Sequence, residues 1–487
     1  MRMTDDELRL PSDLPFDKCP PYRIKMVEYP KPTTRAQRKE LIEKYGWNPT
    51  HIPAEYVFIN LITDSGTGCM SDRQWSAMML GDESYFNCKS WFNYEAAVKE
   101  VTNLPYVIPC HQGRSGENIL YELLCKEGSI IPSNTHFTTT RAMTYANNAT
   151  PVDLMCREYE HMADSTDIFK GGIDVEALEK LAKENAAKIP FMEMVMPNNL
   201  NGGQPVSMAN LKAVREICDN YDILLFIDCA RLAENCYQIQ RMEDGYADKT
   251  CLEIAKEIGD LADGMHMSSK KCGLVNIGGF VAVRDESIYK LLQPKVIRTD
   301  GFITYGGLAG RDLEAVAVGL LEGFNDYYLK NRQAQIERFA SELRKNDVHI
   351  YEPPMCYAVF VDAGKCLPHL KWQEGPASSL ATQAYIEAGV AITPFGSLHR
   401  AREDKDDPTN EAKLGRAPFE LIRCAMPRRV YTEAHYEVVA KAIGDAVKKG
   451  KKVPPYRRIK MKRPPIEHKD IGLRPFFDEF EPVFPHE

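Results

Sequence analysis

The stretch PVSMANLKAVREICDNYDILLFID, from Pro205 to Asp228, decides the fold. Ser207 is placed to cap a helix, and Leu211, Val214, Ile217 and Cys218 recur at helical spacing behind it. Asn220-Tyr221-Asp222 turns the chain into the uninterrupted apolar run Ile223–Ile227. A helix that feeds directly into a fully apolar strand is half of a crossover unit between parallel strands. Outward from this unit, the text from Tyr56 onward alternates short apolar runs with amphipathic helical segments. That pattern predicts an α/β domain with a mostly parallel central sheet. Residues 311–343 read as a long helix broken near Asn325-Asp326, after which shorter mixed segments predict a smaller α+β domain. The expected organisation is a large domain over 60–325, a small domain over 326–487, and an N-terminal segment, 1–59, that joins the small domain.

The 487 residues are 44% apolar and 27% charged, which excludes a disordered or collagen-like chain and leaves ample material for a large core. A net charge of −8 argues against a dedicated nucleic-acid binder. The basic, proline-broken segment Lys448–Arg463 is either a patch for an anionic polymer or a solvated linker, and the overall acidity favours the linker. Met1–Glu7 carries no apolar segment of a signal peptide, and no apolar run spans a bilayer, so a cytoplasmic protein is expected. The 14 cysteines include no Cys-x-x-Cys pair and read as free thiols.

Asp228 closes the apolar strand, at the end where open α/β sheets bind ligands. Downstream, Met267-Ser268-Ser269-Lys270-Lys271-Cys272-Gly273 leads through Asn276-Ile277-Gly278-Gly279 into the apolar run Phe280–Val283. A strand-end Asp with a Lys in a Ser/Gly-rich turn is what pyridoxal-phosphate (PLP) chemistry requires. The lysine forms the Schiff base, and the carboxylate keeps the pyridine nitrogen protonated so that the ring accepts electrons. The phosphate then needs a site, and Gln112-Gly113-Arg114-Ser115-Gly116, between the strand text ending at Ile108 and helical text, offers free N–H groups and a guanidinium.

These residues lie within a longer resemblance. Thr63-Asp64-Ser65-Gly66-Thr67, Gly81-Asp82-Glu83-Ser84-Tyr85, His111-Gln112-Gly113-Arg114, Phe137-Thr138-Thr139-Thr140-Arg141, Asn199-x-x-Gly202-Gly203-Gln204-Pro205-Val206-Ser207-Met208, Tyr305-Gly306-Gly307-Leu308-Ala309-Gly310-Arg311-Asp312 and Arg423-x-x-x-Pro427-Arg428-Arg429 occur in this order. Together they resemble the tryptophanase and tyrosine phenol-lyase family of β-eliminating lyases, from about Tyr22 to Arg474. The resemblance implies a PLP-dependent fold-type-I enzyme, a homotetramer, that eliminates the β-substituent of an amino acid to give pyruvate and ammonium. It implies Lys271 as the Schiff-base lysine and base for the α-proton, Asp228 as the partner of the pyridinium, and Arg231 at the ring hydroxyl. Phe137 matches the aromatic that stacks on the cofactor, and Gln112, Gly113, Arg114, Ser268 and Lys270 match the phosphate positions. Arg423 matches the arginine that grips the α-carboxylate, with Thr63, Ser65 and Asn199 around it. Tyr85 resembles the general acid that protonates the leaving carbon. Gly66, Glu83 and Asn276 match the site of a monovalent cation, typically potassium.

The leaving-group pocket departs from the family pattern. Tyrosine phenol-lyases place an arginine where this chain has Phe395, and an apolar ring cannot polarise a phenol. Tryptophanases carry an aspartate where this chain has Thr138, and a histidine near the C-terminus that aligns with Pro475. His399 lies beside the variable segment as a further polar contact or a solvent-exposed side chain. Tryptophan is therefore slightly favoured over tyrosine. A C–S lyase on a cysteine-type substrate and an aminotransferase are the alternatives, followed by a non-catalytic binding homologue.

Overall fold

The computed structural model describes residues 19–24, 26–156, 167–399, 417–458 and 479–483. Its two larger sheets are built from β1 (Ile59–Leu61), β2 (Tyr106–Cys110), β3 (Ile130–Ser133), β4 (Thr150–Asp153), β5 (Phe191–Val195), β6 (Leu224–Asp228), β7 (Gly264–Ser268), β8 (Gly279–Val283), β9 (Ala358–Asp362), β10 (Val390–Phe395) and β11 (Leu421–Ala425). The chain divides into two compact units. One holds Ser65–Arg157 and Ile168–Gln335 with the chain up to Arg23, and the other holds Ile24–Asp64 and the chain from Ile336 onward. The second boundary falls inside the continuous helix Asp326–Lys345. That helix is separated from Gly310–Gly323 at Phe324-Asn325, so the helical text over 311–343 is two helices.

The first unit carries a seven-stranded sheet in the order β2-β8-β7-β6-β5-β3-β4. It is parallel except for β8, which runs antiparallel to both β2 and β7. The helix Met208–Tyr221 connects β5 to β6 as the sequence predicts. Ser207 accepts from the Asn210 N–H at its start, and Asp222 ends it in the left-handed conformation at φ 55°. Both faces of the central strands are covered, which is why they read as nearly unbroken apolar runs. Met192, Met194, Leu225, Ile227, Met265 and Met267 face one core cluster. Phe191, Phe226 and Val281 face the other, under the helix Gly113–Leu124 with its Ile119, Leu120 and Tyr121. By alternation, Glu193, Asp228 and His266 share this second face.

The second unit is α+β. Its sheet runs β1-β10-β11-β9, with β1 parallel to β10 and the remaining pairs antiparallel. The helices Pro376–Ala388 and Glu433–Lys448 supply Leu380, Ala384, Val439 and Ile443 to the core shared with that sheet. A fully buried ion pair, Arg428 Nη1 to Asp64 Oδ2 at 2.9 Å, joins the chain after β11 to the chain after β1.

Candidate active site

In the first unit, the carboxyl ends of β6 and β7 and the start of one helix form a cradle. β6 ends on Asp228 and β7 on Ser268, with Asp228 in register with His266. The turn that follows β7 is tied back to β6: the Cys272 N–H donates to the Ala230 carbonyl at 3.2 Å, and the Ala230 N–H to Asp228 Oδ1 at 3.0 Å. Lys271, the residue before Cys272, is thereby held at the strand end that carries Asp228. The helix Gly113–Leu124 begins beside this turn, with Gln112 bridged to Gly278. A Cβ on Gly113 would lie 2.5 Å from the Ser268 nitrogen, so only glycine permits this approach. Gln112 provides no side-chain cap, which leaves first-turn N–H groups for an anion. Asp300 fixes the loop from behind. It accepts from His111 Nδ1–H at 2.8 Å, from the His111 N–H at 3.3 Å and from the Ser115 hydroxyl.

The remaining expected cofactor positions follow the carboxyl ends of three parallel strands of this sheet, Phe137 after β3, Asn199 after β5 and Arg231 after β6. Asn199 follows β5 and is buried, and Arg231 begins the helix Leu232–Met242. Phe137 opens the helix Thr138–Ala146. Thr138 Oγ1 is buried without a hydrogen-bond partner. An uncapped helix start, a glycine-lined approach to Ser268, a strand-end carboxylate, a neighbouring lysine and a buried hydroxyl in want of a partner suit a phosphorylated, nitrogen-containing ring. The residues present fit PLP.

Gly66, at φ 74°, donates its N–H to the Lys270 carbonyl, and its own carbonyl accepts from Asn276 Nδ2 at 2.9 Å. Glu83 is placed at a helix start, accepting from the Gly310 N–H at 2.7 Å and the Arg311 N–H at 3.3 Å. Tyr85 is 58% exposed and packs edge-on against Phe86 and Tyr305, with ring centroids at 4.7 and 5.2 Å. The Tyr305 hydroxyl pushes the Tyr85 phenol above its ordinary range. Tyr305 opens the Tyr305–Asp312 motif, but nothing in its spacing assigns it a role.

In the second unit, Arg423 lies in register with Thr393 on one side and Phe360 on the other. Its guanidinium sits 4.7 Å from the centroid of the Phe395 ring and donates to the Ile62 carbonyl at 3.0 Å. Thr63 follows Ile62 in this unit, and Ser65 opens the next stretch of the first. Ser397 hydrogen-bonds to Glu420 through its hydroxyl and its N–H. The side chain of His399, Pro475 and most of the basic segment beyond Arg458 lie outside the described residues.

A family model described as "Beta-eliminating lyase" matches residues 60–442. The chain belongs to the beta-eliminating lyase family. A probable tryptophanase from Aeropyrum pernix is 41% identical over 478 residues, covering 98% of this chain and 99% of the relative. A tyrosine phenol-lyase from Symbiobacterium thermophilum is 40% identical over 464 residues, covering 95% and 98%. Among solved structures, a serine palmitoyltransferase from S. paucimobilis with bound PLP matches at TM-score 0.57 and 13% identity, covering 85% of this chain and 96% of that one. That likeness establishes fold type I, as the resemblance implies. This lyase is a PLP-dependent β-eliminating enzyme, and its relatives' names divide between tryptophan and tyrosine. Among its described residues no helix is long and apolar enough to cross a membrane.

Beneath the cradle the lyase buries a group of ionisable side chains that the sequence reading does not single out. His266 Nε2 meets Glu193 Oε1 at 2.9 Å, Tyr121 donates to the other Glu193 oxygen, and Thr140 donates to Glu117. One polar atom from each of Glu117, Glu193 and His266 lies within 4.8 Å of the others. Burial alone would drive the proton off His266, but the Glu193 hydrogen bond and the charges of Glu193, Asp228 and Glu117 hold its pKa at about 9. Glu193 is correspondingly ionised: burial opposes this, and the bonds from His266 and Tyr121 prevail. Glu117 is pushed up to about 7 by burial and then by the Glu193 charge. The available signal was one charged residue inside each of two apolar runs, Phe191–Val195 and Gly264–Ser268.

Proposed function

We propose that this lyase acts on a bulky aromatic L-amino acid, tryptophan ahead of tyrosine, and releases the side chain with pyruvate and ammonium. The observation that carries this reading is the Cys272–Ala230 hydrogen bond, which holds the Lys271 turn against the strand end bearing Asp228. When bound, PLP supplies an electron sink for the pair of electrons left when the Cα–H bond breaks. Lys271 tethers the cofactor and takes the α-proton. Asp228 keeps the proton on the ring nitrogen, Arg231 addresses the ring hydroxyl, and Phe137 stacks on the ring. The phosphate is held by Gln112, Gly113, Arg114, Ser268 and Lys270.

Arg423 grips the α-carboxylate through a guanidinium fork, with Thr63, Ser65 and Asn199 completing the substrate's polar contacts. Tyr85 delivers the proton that a carbon leaving group needs. Its raised pKa keeps that proton in place above the ordinary tyrosine range of about 10. The carbonyl of Gly66, the carboxylate of Glu83 and Asn276 are oxygen donors suited to a hard monovalent cation such as potassium, and each oxygen that already accepts an N–H keeps a second lone pair. The proposed assembly is a cytoplasmic homotetramer.

Phe395 favours tryptophan. Its ring face carries the Arg423 guanidinium and offers no polar atom to a phenol hydroxyl. Thr138, which replaces the acidic residue of tryptophanases, is the observation on tyrosine's side. The test is incubation of the purified enzyme, without added keto acid, with tryptophan, tyrosine and an S-alkylcysteine. Pyruvate, ammonium and indole at the highest kcat/KM with tryptophan support the reading. Keto-acid-dependent amino transfer without pyruvate would make it an aminotransferase, and turnover confined to the thioether would make it a C–S lyase.

A further inference from the structure

We infer that Asp300 sets this enzyme's affinity for the cofactor's phosphate by clamping the loop proposed to bind it. The inference deepens the PLP reading above and rests on it. Asp300 accepts from the His111 N–H at 3.3 Å and from His111 Nδ1–H at 2.8 Å before the loop, and from the Ser115 hydroxyl after it. Between these two grips lie Gln112, Gly113 and Arg114, the loop residues assigned to the phosphate. An anion gains most from N–H groups that are already aimed at it, because ordering a loose loop on binding costs entropy. Holding both ends of so short a stretch removes that cost before the cofactor arrives.

Asp300 is itself firmly placed. It ends the helix Glu286–Thr299, and its N–H donates to the Val296 carbonyl at 2.8 Å. Leu292 and Val296 of that helix share a core cluster with Ile119 and Leu120 of the helix Gly113–Leu124. Past Asp300 the chain folds back against the end of β2. A Cβ on Gly306 would lie 1.9 Å from the Pro109 carbonyl oxygen, and one on Gly307 would lie 2.8 Å from that of Asp300. The Asp300 side chain is buried, so water does not compete for its donors. His111 is fixed a third time through its carbonyl, which accepts from the Gly278 N–H at 2.8 Å. By charge alone a carboxylate near an anion site weakens phosphate binding. The clamp predicts the opposite sign, which separates the two effects. Asp300 acts through the loop, so it is a positioning residue.

The experiment uses the apo form of the full chain, with circular dichroism as the folding control. It measures dissociation constants for PLP and for pyridoxal, which lacks the phosphate. The ratio of the pyridoxal constant to the PLP constant isolates what the phosphate contributes. Asp300→Ala should lower that ratio about tenfold, the scale of one hydrogen bond to a charged group, and leave the pyridoxal constant unchanged. Asp300→Asn keeps an acceptor oxygen and should fall between Asp300→Ala and the wild type. Ser115→Ala releases one grip and should lower the ratio severalfold. These two milder variants report even where Asp300→Ala fails to fold. Folded variants with the wild-type ratio, with a raised ratio, or with both constants weakened equally overturn the inference and leave the PLP reading intact. A wild type that binds neither PLP nor pyridoxal overturns both.

Discussion

The guanidinium of Arg423 lies 4.7 Å from the centroid of the Phe395 ring while it donates to the Ile62 carbonyl. The residue proposed to line the leaving-group pocket thus also packs against the arginine proposed to hold the substrate carboxylate. A cation over a ring contributes about 0.5–2 kcal/mol according to desolvation. Phe395→Leu should therefore raise KM several-fold for every amino-acid substrate with little change in kcat. Steady-state kinetics on tryptophan and an S-alkylcysteine check this. A defect confined to tryptophan would make Phe395 a side-chain reader alone.

Tyr85→Phe removes the proposed proton donor. Turnover of tryptophan should fall by two orders of magnitude or more, the range of general acid–base catalysis, while a thioether leaving group retains most of its rate. Equal losses on both substrates would remove Tyr85 from the acid role.

Tyr305 raises the pKa of Tyr85, so the proposed acid stays protonated to higher pH than a free tyrosine. In Tyr305→Phe the Tyr85 pKa moves back down, and the alkaline limb of the kcat profile for tryptophan should shift to lower pH. An unchanged limb would mean that another group sets it.

The buried Arg428–Asp64 pair gives a stability prediction for the second unit. Arg428→Met leaves Asp64 buried with its partner charge removed, and breaking such a pair costs about 3–5 kcal/mol. The urea unfolding midpoint should fall accordingly. Arg428→Met with Asp64→Asn should recover part of the loss, because the remaining group is neutral.

Legibility in the sequence followed the strength of local signals. Leu224–Asp228 and the Ser207-capped helix before it were readable because an unbroken apolar run and a cap residue need no tertiary context. The reversed direction of β8 was not, since Gly279–Val283 has the composition of any buried strand. Lys271 and Asp228 emerged as a pair only because their chemistry demands each other. Glu193 and His266 lie in equally apolar text, and only the sheet register reveals that they meet. The division of the chain within Asp326–Lys345 leaves no mark in composition, because a helix passing from one unit to the other keeps its periodicity. The stacking of Arg423 on Phe395 joins two strands and was likewise invisible.

The central claim is that this chain holds PLP covalently at Lys271, with Asp228 at the ring nitrogen. Borohydride reduction of the PLP-loaded enzyme, followed by proteolysis and fragment-ion mass spectrometry, tests it most directly. A single pyridoxyl-phosphate adduct on Lys271 is the predicted result. An adduct on the adjacent Lys270, or a loaded enzyme that yields none, would contradict the account.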